Sequence, residues 1–453
     1  MMRPVNGDIL IPDVPLSEAA LGLPTFFSLE TWSAIGVLDS YIYVFLAAFL
    51  VTLLLTPLVR RMAIAGGIID HPDAARKAHP YPVAYLGGLA VFAGLIAAVA
   101  LSFIIIPPDV AAFRQVPMAI IIGMVAIAFT GFADDVWGWD PRLKIMGQLI
   151  AAAALAIEEV GVRVAAGLLV PLFPADWLLF EIPLPGGGIP IDVVYWVGTA
   201  LIAVFVLGGC NAANLIDGLD GLLSGVIAIV ALGLLVIALL MVPMNGAGEV
   251  MAEQGSLAGA RVVLCLALLG AVLGFLPHNF NPASIFLGDC GSLLIGYVCV
   301  VIILMFGEHG QTHLVFAGLI VFALPIMDTT LAIIRRWLAR IPMSSGDDQH
   351  IHHQLKRGLG GVKRAVFAMY GISLLFAIIG VSLAALVITS ELRVRFIYVI
   401  AIVMFGFIGV IAVKAARRKQ IMLAIEKKTA KVAPAVANQP QESAAGSPAS
   451  STS

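Results

Sequence analysis

The chain has 453 residues, of which 60% are apolar and only 12% are charged, and its formal net charge is −2. A soluble domain has about one-half apolar and about one-quarter charged residues, so the composition excludes a soluble globular protein. The apolar residues fall in blocks of about 17 to 25, roughly the length that crosses the hydrocarbon core of a bilayer. The sequence therefore predicts an all-α polytopic membrane protein.

Composition divides the chain into three parts. Residues 1–39 have no long apolar core and no small-residue cleavage site, so they are predicted to be an N-terminal extracytoplasmic segment and not a cleaved signal peptide. Residues 40–416 hold the apolar blocks and form the predicted transmembrane domain. Residues 417–453 are rich in Lys and then in Ala, Pro, Ser and Gln, which predicts a disordered cytoplasmic tail.

Apolar blocks bounded by charge, Pro or Gly predict eleven transmembrane helices. The fourth is short and ends at Glu158-Glu159. The Pro/Gly-rich stretch from Val170 to Pro190, which follows it, predicts an ordered loop or a short hairpin. The predicted spans lie near residues 40–60, 85–106, 116–133, 144–158, 192–209, 222–243, 260–277, 291–307, 314–338, 365–388 and 395–415.

Basic residues set the predicted orientation. With the N-terminus outside the cytoplasm, 20 of the 26 Lys and Arg residues fall on cytoplasmic connections or the tail, and 6 fall outside. Without the tail the ratio is still 13 to 6. The positive-inside rule therefore predicts an extracytoplasmic N-terminus and a cytoplasmic C-terminus.

The four cysteines lie in or beside apolar blocks, with no CxxC pair. This spacing argues against a disulfide framework or a zinc site. The cysteines, Cys210, Cys265, Cys290 and Cys299, are predicted to be buried small apolar residues.

Five polar clusters fall on the predicted cytoplasmic side, on five different connections. The first follows span one and contains Arg76, Lys77 and His79, with Gly87-Gly88 after it. These side chains suit phosphate binding through charge-assisted hydrogen bonds. An ordinary basic cytoplasmic loop is the open alternative.

The second cluster is Asp134-Asp135 at the end of span three, with Lys144 opening span four. Two adjacent carboxylates beside a membrane are costly unless ions or partners compensate them. A divalent cation suits the pair, and Lys144 suits a phosphate. Helix capping is the alternative, but it explains one carboxylate and not both.

The third cluster contains Asn211, Asn214 and Asp217 at a spacing of three, with Asp220 one step further. In a helix this spacing places the side chains on one face. Carboxylate and amide oxygens are hard ligands that suit Mg²⁺ rather than zinc. A solvated loop is the alternative.

The fourth cluster runs from Asn279 through Phe286 to Asp289, which stands where span eight begins. Asp289 is a candidate metal ligand. Phe286 is a candidate for stacking on a nucleotide base, although an apolar anchor at the membrane boundary explains it equally well.

The fifth cluster has His350, His352 and His353 within four positions, followed by Gln354. Zinc is not supported, because no cysteine accompanies the histidines. Imidazoles also bind a diphosphate, and a chance surface cluster is the alternative. Together the five clusters offer oxygen ligands for Mg²⁺ and basic groups for phosphate, which is what phosphoryl transfer requires.

These clusters, in this order over about residues 40–415, resemble the polyprenyl-phosphate N-acetylhexosamine-1-phosphate transferase superfamily, glycosyltransferase family 4. The run Asn211-Ala-Ala-Asn214-Leu-Ile-Asp217-Gly-Leu-Asp220-Gly-Leu is close to the family signature letter for letter. His-Ile-His-His followed by Gln is similar to the WecA/TagO-like branch rather than the MraY branch. Ala84-Tyr85 stands where many members have Pro-Arg, which puts in doubt any role of an arginine there.

The resemblance implies transfer of N-acetylglucosamine-1-phosphate from a UDP-sugar to undecaprenyl phosphate, with release of UMP and formation of the first lipid-linked intermediate of a cell-envelope polysaccharide. It implies Mg²⁺ as the cofactor, with Mn²⁺ as an alternative, and a cytoplasmic active site in the bacterial inner membrane. The expected partners are UDP-N-acetylhexosamine, undecaprenyl phosphate and the lipid bilayer. No nucleic acid is expected, and a homodimer is left open.

The resemblance also implies roles for individual residues. The expected metal ligands are Asp289 and Asp217, and the expected catalytic residues are Asp134, Asp135, Asp217 and Asp220, without a division between general base and metal ligand. Phe286 and Asn279 are expected to hold the nucleotide, and Lys144 and the histidines the diphosphate. The full set of expected substrate-binding residues is Arg76, Lys77, His79, Lys144, Asn211, Asn214, Asn279, Phe286, His350, His352 and His353.

Two alternatives stay open at this point. The same reaction with another UDP-N-acetylhexosamine is one, because sugar contacts cannot be read from one sequence. A multi-spanning transporter is the other, but transporter sites usually lie near the bilayer midplane between repeats. Here the acidic residues stand at predicted span ends and no internal repeat is visible.

Overall fold

In a computed structural model, the protein is a bundle of helices with two small antiparallel sheets of two strands each. The structure describes residues 29–70, 82–105, 113–184, 187–242, 256–340, 350–389 and 393–407, and single positions up to 421. The strands are β1 (Ile69–Asp70), β2 (Val83–Ala84), β3 (Leu179–Leu184) and β4 (Gly187–Asp192). The helices are α1 (Leu29–Ala65), α2 (Gly87–Ile104), α3 (Met118–Trp137), α4 (Pro141–Ile157), α5 (Ala166–Leu169), α6 (Ala175–Leu178), α7 (Val193–Ile216), α8 (Leu222–Leu240), α9 (Ala258–Asn279), α10 (Gly288–Met305), α11 (Thr312–Val321), α12 (Ala323–Ala339), α13 (Ile351–Leu359), α14 (Val362–Ile388) and α15 (Arg395–Phe407).

Within these described ranges, eight helices are long and apolar enough to cross a membrane: α1, α2, α3, α7, α8, α9, α10 and α14. They coincide with eight of the eleven predicted spans, so the polytopic helical fold is confirmed. The predicted count of eleven spans is not confirmed. The predicted fourth and eleventh spans are the shorter helices α4 and α15, and the predicted ninth span is two helices, α11 and α12, that meet at an angle of 79°.

The bend between α11 and α12 has a cause in the sequence. Pro325 lies in the first turn of α12, so it has no N–H to donate to the carbonyl of Val321 four residues earlier. A missing bond of this kind breaks a continuous helix. The chain changes direction at Phe322, between the two helices.

Aspartates begin two of the helices. Asp140 accepts a hydrogen bond from the backbone N–H of Arg142 at 2.8 Å, with Pro141 as the first residue of α4. Asp192 accepts from the backbone N–H of Tyr195 at 3.1 Å at the start of α7. Both satisfy N–H groups that a helix start leaves without an intrahelical acceptor.

Helix α10 occupies the centre of the bundle. In its most apolar 18-residue window 94% of the residues are buried, against 28% in the outer helices α1, α7 and α14. A helix that is apolar on all sides is expected to lie inside a membrane protein. All four cysteines are buried with free thiols, as predicted.

Glycines allow α2 and α3 to approach the first turn of α10 at backbone distance. A Cβ atom on Gly88 would overlap the backbone of Gly291, and one on Gly131 would overlap the backbone of Asp289 and Cys290. Small residues at helix contacts permit such close packing in membranes. The start of α10 is therefore held by two neighbouring helices.

A hairpin lies at the end of the bundle where α3 begins and α4 ends. Strands β3 and β4 pair antiparallel, from Leu179 opposite Asp192 to Leu184 opposite Gly187. This confirms the short hairpin predicted from the Pro/Gly-rich stretch.

An ion pair closes the C-terminal end of α10. Arg261 of α9 is fully buried and donates from Nη1 to the Met305 carbonyl at 3.1 Å and to Glu308 Oε2 at 3.0 Å. The other carboxylate oxygen of Glu308 accepts from the backbone N–H of Leu257 at 3.1 Å. A cation suits this position, because the last carbonyls of a helix carry partial negative charge.

Arg261→Met should destabilise the protein strongly, because it leaves Glu308 without its buried cation. The loss expected for a broken buried pair is about 3–5 kcal/mol, visible as a lower unfolding midpoint in detergent. Arg114→Gln is the matched control, since the Arg114–Glu158 pair at 3.8 Å is partly exposed and should contribute little. Equal midpoints for the two variants would contradict a structural role for the buried pair.

Candidate active site

The acidic site is built around the first turn of α10. Asp135, near the end of α3, accepts hydrogen bonds from the backbone N–H of Asp289 at 2.8 Å and of Cys290 at 3.0 Å. Both carboxylate oxygens of Asp135 are therefore used to cap α10. Gly288 has a left-handed φ of 75°, and a Cβ there would lie 2.5 Å from Asp135 Oδ2, so the cap also requires glycine at this position.

Lys144 joins two carboxylates from different helices. Its Nζ atom lies 2.6 Å from Asp134 Oδ2 and 2.6 Å from Asp289 Oδ2. The three side chains are partly exposed, so both ion pairs are accessible to solvent. The capping alternative thus accounts for Asp135, while Asp134 is directed at Lys144.

The end of α7 supplies amides to the same site. Asn214 donates from Nδ2 to Asp289 Oδ1 at 2.8 Å and lies 2.9 Å from Ser292 Oγ. Asn211, one turn earlier, donates to Gln148 Oε1 at 2.9 Å. The two asparagines lie on one face of α7, as their spacing predicts, and they connect α7 with α10 and α4.

Asp217 follows α7 directly and adds a further negative charge. Burial, followed by the charges of Asp289 and Asp135, raises the pKa of Asp217 to about 7. An elevated carboxyl pKa means that the ionised form is disfavoured in this environment. A bound cation would reverse that effect.

Three carboxylates could share one cation. Among the described residues, one oxygen of each of Asp134, Asp135 and Asp289 lies within 4.8 Å of the other two. Oxygen ligands of this kind suit Mg²⁺ or Mn²⁺. The donor set therefore fits the metal that the sequence predicts.

Asp220 and Asn279 bind the loop between α9 and α10. Asp220 Oδ2 accepts from Asn281 Nδ2 at 2.8 Å and from the backbone N–H of Ala283 at 3.1 Å. The buried amide of Asn279 accepts from Ser224 Oγ at 2.9 Å and donates to the Ile285 carbonyl at 3.2 Å. Both side chains are occupied by protein groups, so in this state they order the loop that carries Phe286.

Phe286 is fixed against the start of α2. Its backbone N–H donates to the Ala84 carbonyl at 2.9 Å, and its carbonyl accepts from the Gly87 N–H at 2.8 Å. Its ring meets Tyr85 edge to face, with the centroids 6.3 Å apart. Tyr85, at the position of the sequence departure, therefore lies beside the fourth cluster.

The histidines depend on Asp328, which the sequence analysis missed. Asp328 is fully buried in α12, and its Oδ2 lies 2.8 Å from His350 Nδ1. Its Oδ1 accepts from the backbone N–H of Ile351 at 2.8 Å, which caps α13. A single carboxylate inside an apolar span is itself a functional signal, and it could have identified this residue.

His352 connects the histidines with the third cluster. Its side chain is buried, and a Cβ on Gly218 would overlap its Nε2 atom, so the ring packs directly on the loop between Asp217 and Asp220. Burial, followed by the charge of His353, lowers the pKa of His352 to about 3. The imidazole is therefore neutral at physiological pH.

The structure brings the second, third and fourth clusters together and attaches the fifth through His352 and Asp328. Arg76, Lys77 and His79 of the first cluster lie outside the described residues, as do the predicted tail from residue 422 onward and the first 28 residues.

Asp135→Asn should destabilise the protein more than Asp134→Asn does, because Asp135 caps α10 and Asp134 does not. An asparagine at 135 cannot accept from both N–H groups of α10, and an unsatisfied buried donor costs about 1–3 kcal/mol, so its unfolding midpoint should fall. The midpoint of Asp134→Asn should stay near that of the unmodified protein, because Asp134 pairs with the partly exposed Lys144. Thermal unfolding of both variants tests this, and the reverse order would contradict the capping role.

His352 should make stability depend on pH. An unfolded histidine binds a proton below about pH 6.5, whereas folded His352 does not until about pH 3. Stability should therefore fall as the pH drops from 6.5, by up to about 1.4 kcal/mol per pH unit. Unfolding midpoints at pH 7.5, 6.5 and 5.5 should show a shallower slope for His352→Asn, with His309→Gln as the control. An unchanged slope for His352→Asn would exclude His352 as the source of the pH dependence of stability.

Comparison with known proteins agrees with this geometry. The model of "Glycosyl transferase family 4" matches residues 117–307. The chain is 33% identical over 362 residues to a "Probable undecaprenyl-phosphate N-acetylglucosaminyl 1-phosphate transferase" of Bacillus subtilis. The aligned region covers 79% of this chain and 88% of that protein. The chain is also 33% identical to a "Decaprenyl-phosphate N-acetylglucosaminephosphotransferase" of Mycolicibacterium smegmatis, over 72% of this chain and 77% of that protein.

The similarity extends to the other branch at a lower level. A "Phospho-N-acetylmuramoyl-pentapeptide-transferase" of Geobacillus kaustophilus is 28% identical, over 74% of this chain and 94% of that protein. The matched family region contains Asp134, Asp135, Lys144, the third cluster and Asp289. With these residues in one site and these relatives, the chain belongs to glycosyltransferase family 4, the polyprenyl-phosphate N-acetylhexosamine-1-phosphate transferase superfamily.

Proposed function

We propose that the protein transfers N-acetylglucosamine-1-phosphate from UDP-N-acetylglucosamine to undecaprenyl phosphate, at the cytoplasmic face of a bacterial inner membrane. UMP is released, and a lipid-linked pyrophosphate sugar is formed. Two relatives named for transfer of N-acetylglucosamine phosphate are 33% identical to the chain, against 28% for the pentapeptide transferase. That difference favours N-acetylglucosamine as the sugar.

The observation that carries the proposal is the contact of Lys144 with Asp134 and Asp289, beside Asn214. These groups come from α4, α3, α10 and α7, and they meet at one end of the bundle. Phosphoryl transfer depends on positioning and on neutralising charge rather than on covalent chemistry by the protein. A cluster of oxygen ligands beside the ammonium group of Lys144 is suited to that task.

The reaction forms one bond and breaks one. A phosphate oxygen of the polyprenyl phosphate attacks the β-phosphorus of the UDP-sugar, and the bond from that phosphorus to the oxygen bridging to the α-phosphorus breaks. The electron pair leaves with UMP. Because Asp135 is occupied in capping α10, we assign the removal of a proton from the acceptor phosphate, or its orientation, to Asp134.

Asp134, Asp135 and Asp289 would hold the divalent cation, with Asp217 beside them. A bound Mg²⁺ supplies neutralisation of the charge on the diphosphate. Asp289 keeps its position through the Asn214 amide, and Lys144 is placed to exchange a carboxylate for a phosphate oxygen. Phe286, whose ring borders Tyr85, and Asn279 are the groups expected to receive the nucleotide, and the histidines, of which His350 is fixed by Asp328, are expected to receive the diphosphate.

Orientation, sugar and assembly state are part of the proposal. The excess of basic residues on one side favours a cytoplasmic acidic site. The second candidate is the same transfer with another UDP-N-acetylhexosamine, and a homodimer stays a prediction. A transporter is disfavoured, because the acidic groups lie at helix ends and not at the middle of the spans.

The test is transfer by purified protein from radiolabelled UDP-N-acetylglucosamine to undecaprenyl phosphate, with and without Mg²⁺. Label should enter a lipid pyrophosphate, UMP should appear in equal amount, and EDTA should stop both. Transfer with a different UDP-sugar alone would change the substrate and keep the mechanism. Failure with every UDP-sugar, from folded protein, would overturn the proposal.

Asp289→Asn should lower the transfer rate by about 10²–10³-fold, a loss typical for removal of one charge-stabilising group. The matched control is Asp39→Asn. Asp39 is an exposed residue in the N-terminal part of α1 and is not one of the residues of the acidic site. Rates are measured beside unfolding midpoints, so that misfolding is recognised. A near-normal rate for Asp289→Asn would remove this residue from the chemistry.

A further inference from the structure

A cavity lies at the end of the bundle opposite the acidic site. Its volume is about 540 Å³, and it is bounded by the residues after α4, the 3₁₀ turn Val162–Ala165, the hairpin and the start of α7. Helix α7 separates the two sites, since Asp192 caps its first turn and Asn214 lies in its last. With about 1.5 Å per residue, its 24 residues place the cavity roughly 36 Å from the acidic site.

The wall of this cavity is amphipathic. Twelve residues line it, and three of them are charged: Glu159, Arg163 and Asp192. The others are apolar or aromatic and include Val170, Phe173, Leu178, Val194 and Tyr195. A pocket of this size with an apolar wall and a few polar groups is typical of a binding site for a small or amphipathic molecule.

The three charges complement a ligand that carries both signs. Arg163 Nη2 lies 4.0 Å from Glu159 Oε2, a long and exposed contact that leaves the guanidinium able to bind a phosphate. Asp192 accepts from the Tyr195 N–H with one oxygen. Two carboxylates and one guanidinium give a net charge of −1, which favours an ammonium and a phosphate together over a phosphate alone.

The surroundings of the cavity are those of a lipid-facing surface. Large apolar side chains around it are exposed, among them Leu172 at 73%, Trp177 at 64%, Leu179 at 63% and Trp196 at 61%. Residues 166–191 contain no Lys or Arg. Tryptophans are enriched where a protein meets the membrane–water interface, and the exposed face continues down α7 through Val204.

We propose that this cavity binds the headgroup and upper acyl chains of a zwitterionic aminophospholipid. The phosphate contacts Arg163, the ammonium contacts Glu159 and Asp192, and the acyl chains follow the apolar wall formed by Val170, Phe173 and Val194. The cavity is smaller than a whole phospholipid, so the remaining chain lies in the bilayer. This site is independent of the transfer reaction, because its residues are far from the acidic cluster.

The test is native mass spectrometry of the full-length protein, stripped of lipid in detergent and then titrated with phosphatidylethanolamine or phosphatidylglycerol. The protein should retain one phosphatidylethanolamine with about fivefold to tenfold preference over phosphatidylglycerol, equivalent to about 1–1.4 kcal/mol. Val194→Trp should fill the cavity and abolish this binding. The double variant Glu159→Gln/Arg163→Gln should keep binding but lose the preference for the zwitterionic lipid.

The matched control is Glu181→Gln/Arg395→Gln, which changes the same charges at exposed positions outside the cavity lining. It should bind as the unmodified protein does, and unfolding midpoints identify any variant that fails to fold. Equal binding of the two lipids by the unmodified protein, or retention of lipid by folded Val194→Trp, would overturn the proposal. A dimer that the cavity variants dissociate would also overturn it, because a second copy would then be the occupant. None of these measurements uses the transferase activity, so the two proposals fail separately.

Discussion

The position of the acidic site depends on one interaction, the cap that Asp135 places on α10. A buried helix start leaves several N–H groups without acceptors, and Asp135 satisfies those of Asp289 and Cys290. The same bonds hold Asp289 beside Lys144. Because α10 is the most deeply buried of the long apolar helices described, and α2 and α3 contact its first turn at glycines, the backbone that carries Asp289 is closely packed.

Identical carboxylates acquire different properties from their partners. Asp135 and Asp220 accept from backbone N–H groups and order the protein, whereas Asp134 and Asp289 pair with the partly exposed Lys144. Asp328 orders a different element, because it fixes His350 and the start of α13. The neutral ring of His352 then packs on the loop after Asp217, so the histidines and the aspartates are placed by one continuous set of contacts.

Much of this arrangement could be predicted from the sequence, because it rests on local signals. Long apolar blocks identified eight spans, and the spacing of Asn211 and Asn214 placed them on one helix face. The capping role of Asp135 could not be assigned, since it depends on contact with residues more than 150 positions away. The bend at Phe322 had a local signal in Pro325, but its angle is set by packing.

The carboxyl groups of the site give a physical reason why the proposed reaction would use both basic residues and a cation. Asp134 and Asp289 contact the ammonium group of Lys144, Asp135 and Asp217 add two further carboxyl groups to the site, and both proposed substrates carry phosphate. Two like charges 4 Å apart repel by about 4 kcal/mol at an effective dielectric constant of 20, which opposes binding of a diphosphate beside unneutralised carboxylates. Burial is the largest cause of the raised pKa of Asp217, and repulsion from Asp289 and Asp135 adds to it. Lys144 can offset one of these charges, and a divalent cation bound at the proposed site would offset more of them, so the proposed reaction is expected to require that cation.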